Sequence, residues 1–145
     1  MAYLDRLLTF SDNQTLDNSA AQVSTDVVDL GSANVDLGTG ENLYLVIDIG
    51  TITGGTDPTI TATLQESDDT TAANFANIST VTTGSQTASG EHKLRLPVGT
   101  VDKRYLRISY ALGGTARATS TIVDAYIVRD IDEYTAYPSG YTVTT

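Results

Sequence analysis

The chain has 145 residues, no cysteine, 18 Asp and Glu against eight Lys and Arg, and a formal net charge of -10. A single domain of this length buries about 68 to 70% of its unfolded surface, so its core needs neither disulfide nor metal, and the lack of cysteine excludes zinc–thiolate sites and thiol nucleophiles. The negative balance opposes nucleic acid as a partner, because phosphate binding rests on clustered basic side chains that release counterions.

Residues 1–14 read as an N-terminal arm. Leu4, Leu7 and Leu8 have the i, i+3, i+4 spacing of one amphipathic turn, and Phe10 follows. So short a helix is marginal alone, so the arm is expected to order against its own domain or across a neighbour. The segment lacks the basic-then-apolar order of a signal peptide, and no apolar run approaches the ~20 residues that span a bilayer. Neither export nor a membrane partner is expected.

Residues 15–130 read as one domain of short strands. Val23 to Leu30, Leu43 to Ile49, Thr59 to Glu66, Glu91 to Leu96, Arg104 to Leu112 and Ser120 to Arg129 are rich in Thr, Val, Ile, Leu and Tyr, with a weaker segment at Phe75 to Val81. Glycine-bearing turns separate several of them, which predicts an all-β sandwich or barrel with little helix. In Thr59 to Leu64, Ile60, Ala62 and Leu64 share one face and three threonines the other. Leu43 to Ile47 has no polar alternate, so that strand is covered on both faces or meets another subunit on its outer one. Val123, Ala125 and Ile127 form an inward set, which leaves Tyr126 outward; Tyr44 is placed outward as well.

Catalytic groups are sparse. His92, the single histidine, alternates in phase with Leu94 and Leu96, so it reads as a strand residue without the orienting partner and nucleophile that a base requires. Asp57, Glu66, Asp68 and Asp69, like Asp130, Asp132 and Glu133, could offer oxygen ligands to calcium, but neither group has the spacing of an EF-hand loop. They read as surface charge. No metal, cofactor or enzymatic activity is expected.

Residues 131–145 form a C-terminal tail in which Tyr134, Tyr137 and Tyr141 follow the last strand, interrupted by Pro138 and Gly140. Tyrosine joins a large apolar face to a polar tip, so a tail of this kind suits a contact surface.

Several phrases follow one another along the chain: Phe10-Ser11-Asp12 after the leucine arm, Asp29-Leu30-Gly31 ending a strand, Leu43-Tyr44-Leu45-Val46, Lys103-Arg104-Tyr105-Leu106-Arg107-Ile108-Ser109-Tyr110, Val128-Arg129-Asp130 and the tyrosine tail. Together they resemble the jelly-roll capsid cement proteins of short-tailed bacteriophages over nearly the whole chain. The resemblance implies an antiparallel jelly-roll sandwich that binds the exterior of an assembled head, bridges neighbouring major capsid subunits, assembles in the host cytoplasm and forms a homo-oligomer, a dimer sooner than a trimer. Leu4, Leu7, Leu8, Phe10, Tyr44, Tyr126, Tyr134, Tyr137 and Tyr141 are the expected interface anchors. The alternative is a virion-surface, lectin-like module whose exposed tyrosines stack on sugars.

Overall fold

The computed structural model describes residues 6–17, 21–33, 43–82, 90–96 and 101–128, with only the backbone placement of Arg6, Thr51 and 90–96. Among them are nine strands: β1 (Thr9–Asp17), β2 (Gln22–Val23), β3 (Val28–Asp29), β4 (Leu43–Thr53), β5 (Thr59–Ser67), β6 (Ala76–Thr82), β7 (Gly90–Leu96), β8 (Tyr105–Gly113) and β9 (Ser120–Val128). The helical content of these residues is two 3-10 turns, Arg6–Leu8 and Ala72–Asn74.

The strands form two antiparallel sheets, ordered β1-β9-β4-β7 and β2-β8-β5-β6, with β3 also paired to β8. Taking β2 and β3 as one interrupted edge strand leaves eight strand positions. The first, eighth, third and sixth make one sheet, and the second, seventh, fourth and fifth the other. That order is the double Greek key of a jelly roll.

Alternation builds the core, as expected. Along β8 each even-numbered residue from Leu106 to Leu112 is buried, and β9 buries Thr121, Val123, Ala125 and Ile127. Ile60, Ala62 and Leu64 of β5 meet them in one cluster with Leu45, Ile47 and Ile49 of β4. The threonines of β5 stay on the outer face, where Thr61 and Thr63 hydrogen-bond Thr82 and Thr80 across to β6 at 3.1 Å. Val46 is buried too, outside the core cluster, so β4 is covered on both faces at that point.

Two expectations fail locally. The expected end of the arm at residue 14 falls inside β1, which starts at Thr9 and pairs with β9. Its signal is hidden because the register shifts between Thr9 and Ser11 and again between Ser11 and Gln14, with Asn13 at φ 53°. Bulges of this kind break the two-residue period. The single strand expected over Val23 to Leu30 is likewise interrupted. Ser24 is buried, and its Oγ accepts from the Ile108 amide at 3.1 Å and donates to the Asp26 carbonyl at 2.8 Å. The chain therefore bows outward over Thr25 to Val27 before pairing resumes, and the Asp26 amide donates to the Phe10 carbonyl at 2.9 Å, joining the edges of the two sheets.

Candidate functional site

That bow and the start of β1 frame an open groove of about 850 Å³. Asp26, Val27 and Asp29 line one side, Leu7 and Thr9 stand at the start of β1, and Asp48, Asp124 and Tyr126 come from the outer face of β4 and β9. Asp12 and Ser11 complete it, so among the described residues five aspartates line the groove. The apolar part is exposed. Leu7 is 80% and Val27 42% accessible, two of the three large hydrophobic residues so exposed among the described ones.

Hydrogen bonds fix the walls. The Gln14 side chain accepts from the Thr25 amide at 3.0 Å and donates to the Val23 carbonyl at 2.8 Å, so the bulged part of β1 is held against the bow. The Asn13 amide donates to the Asp124 carboxylate, which anchors the second bulge to β9. Asp29 closes the far end. Its carboxylate accepts from Arg104 Nε and Nη2 at 2.7 and 2.8 Å and from the Gly31 amide at 2.8 Å. Foremost the Arg104 hydrogen bond, then the Gly31 amide, hold the Asp29 carboxyl down at about 2. Asp29-Leu30-Gly31 and Lys103-Arg104-Tyr105, two phrases far apart in the sequence, thus meet in space.

The expected anchors divide. The groove brings Leu7 and Tyr126 together, and Tyr126 is half-buried there. Phe10 is corrected outright: it is fully buried in the core of its own sandwich, because β1 turns it inward beside Leu16. Leu8 also packs against that core while remaining partly accessible. Tyr44 is half-buried and pairs with Val128, away from the groove lining. Leu4, Tyr134, Tyr137 and Tyr141 lie outside the described residues. Asp12, Asp26 and Asp48 were not anticipated; only Asp48, outward between Ile47 and Ile49 on β4, carried an alternation signal.

The other acidic group serves local structure. Glu66 accepts from the Asp102 and Lys103 amides at 2.8 and 3.2 Å, Asp68 pairs with Lys103 at 2.9 Å, and Asp69 accepts from the Thr71 amide and the Asn74 side chain. Among the described residues no three acidic or imidazole groups converge to hold a metal ion, and no helix is long and apolar enough to cross a membrane. His92 pairs with Ile47 in the β4–β7 ladder.

The profile of the Bbp16 family matches residues 10–127. No curated protein matches the chain. Among solved structures, it is similar to the infectious bursal disease virus Gx strain structure (16% identity, TM-score 0.42, covering 83% of this chain and 30% of that one). The VP2 subviral particle of infectious bursal disease virus gives 14% identity, a TM-score of 0.42 and the same coverage. The C-terminal family 22 carbohydrate binding module of a Clostridium thermocellum protein gives 13% identity and a TM-score of 0.38, covering 88% of this chain and 96% of that one. The chain thus spans less than a third of the first two viral chains.

Proposed function

The chain belongs to the Bbp16 family, and we propose that this member is a capsid cement protein: a phage virion component that binds the outer surface of the assembled head and bridges neighbouring major capsid subunits. The observation that carries the reading is the groove, where Leu7 and Val27 stand exposed beside Tyr126 on a strongly acidic chain. Apolar groups gathered with an aromatic in a concave rim of charge suit a protein partner. The same charge keeps the free chain dispersed and away from packaged nucleic acid. The order and spacing of the sequence phrases support the same reading.

The mechanism is linkage. A protein that binds adjacent subunits only in their assembled arrangement stabilises that arrangement by its binding free energy, and repetition over the shell multiplies modest contacts. Neither catalysis nor a cofactor enters. A homodimer is the favoured unit, ahead of a trimer, on the capsid exterior, with no membrane or nucleic-acid partner.

The polar outer face of β5 and β6 favours a second reading, a virion-surface carbohydrate-binding module. Gln65, Asn77 and the paired threonines offer hydrogen-bonding groups there. Against it, Arg107 lies over the Phe75 ring at 4.0 Å and occupies a face on which a sugar would stack. Sedimentation with purified shells, run beside a glycan array, separates the two. A cement protein pellets with shells and leaves the array blank; the lectin-like module does the reverse.

A further inference from the structure

We propose that the groove between the β2–β3 bow and the start of β1 binds an extended segment of the shell protein carrying lysine or arginine on either side of an apolar side chain. This inference rests on the shell-binding reading and names the surface and the chemistry it selects.

Charge complementarity is the first argument. The register sets Asp48 directly opposite Asp124 on adjacent strands of the β4–β9 wall. Asp12 on β1 and Asp26 on the bow add carboxylates that are exposed and without an ion pair among the described residues. Spacing is the second. The carboxylates are distributed along an open groove and do not converge into a metal site. Several cationic side chains on a chain segment match that distribution better than one ion. The third is the apolar centre: Leu7 and Val27 project into the same space as Tyr126, so an apolar side chain between two cations has somewhere to bury. The walls are tied by the Gln14, Asn13 and Asp26 hydrogen bonds, so binding has little backbone to order.

The test uses the full chain, a doubly substituted variant Asp12→Asn/Asp26→Asn, and Leu7→Ala. All three positions are exposed, so the thermal melts are expected to coincide. In sedimentation with purified shells, the double variant should bind about tenfold more weakly at low salt and lose much of the salt dependence, as removal of steering charges does. Leu7→Ala should weaken binding at every salt concentration. A short synthetic peptide alternating arginine and leucine, titrated into the free protein by NMR, should shift the groove residues and not the β5–β6 face. If the wild-type chain ignores shells while the peptide shifts the groove, the cement reading falls and the groove chemistry stands. If the wild-type chain binds shells and both variants bind as well with the same salt dependence, the groove proposal is overturned and the cement reading survives. Groove shifts produced by calcium in place of the peptide, or loss of self-association as the sole effect of the variants, also overturn it.

Discussion

Tyr110 and Ser11, on β8 and β1 in opposite sheets, are joined through their hydroxyls at 2.8 Å inside the core. Ser11 Oγ gives its one proton to Gln14 Oε1 at 2.7 Å, so Tyr110 is the donor in the pair. The bond crosses the sandwich and orders the bulged strand that forms one wall of the groove. Burial pushes the Tyr110 hydroxyl well above its ordinary 10.0.

Tyr110→Phe therefore leaves Ser11 with one partner and is expected to cost about 1 kcal/mol near neutral pH. The wild-type chain should also lose stability as pH rises above 10.0, because unfolded Tyr110 then releases its proton while the folded group keeps it. Denaturant titrations at neutral and alkaline pH check both points. The alkaline loss should be smaller in the variant, and equal losses would remove Tyr110 as its source.

The Asp29–Arg104 pair makes the opposite prediction. With its carboxyl held at about 2 against an ordinary 3.8, Asp29 contributes stability above 3.8 that disappears as pH falls through about 2. The pair is exposed and its effect on folding is correspondingly small. A carboxyl-carbon NMR titration of Asp29 should give a midpoint near 2 that rises towards 3.8 in Arg104→Gln.

Phe10 and Leu7 lie three residues apart and should behave oppositely. Phe10→Ala opens a cavity in the core and is expected to cost about 3 to 5 kcal/mol. Leu7→Ala should leave the melt nearly unchanged, since Leu7 is mostly solvated. Thermal melts of the two variants decide whether Phe10 belongs to the fold or to an interface.

At the end where the β4–β5 and β8–β9 connections meet, Gly114 sits at φ 106°, and a Cβ there would lie 2.2 Å from the Asp57 carbonyl oxygen. Gly114→Ala must move that backbone and should lower stability by about 1 to 3 kcal/mol or more. Gly31, at φ 84° with nothing near its Cβ position, isolates the backbone-strain part of the effect. Comparing the two alanine variants by thermal melt should find Gly31→Ala the milder.

The sheets were legible wherever alternation was clean. Ile60, Ala62 and Leu64, or Val123, Ala125 and Ile127, announce an inward face without help from the rest of the chain. Strand β1 was not legible, because Phe10 and Ser11 are both buried as neighbours and Asn13 takes a left-handed turn between them and Leu16. The groove was legible only in pieces. Tyr126 followed from its place opposite the inward set and Leu7 from the amphipathic turn, but Asp12 meets Asp124 through the bulges of the β1–β9 pairing, and Asp26 joins them only where Ser24 interrupts the edge strand. A side chain that replaces ladder hydrogen bonds leaves no periodic trace.

As a cement protein the chain would recognise assembled shell and stabilise it. The most direct measurement is thermal disruption of purified, stripped shells with and without saturating protein, alongside sedimentation with dissociated capsid subunits. A cement protein should bind shells saturably, bind free subunits little, and raise the temperature at which the shells come apart. Equal binding to both forms, or an unchanged disruption temperature at saturation, would contradict it.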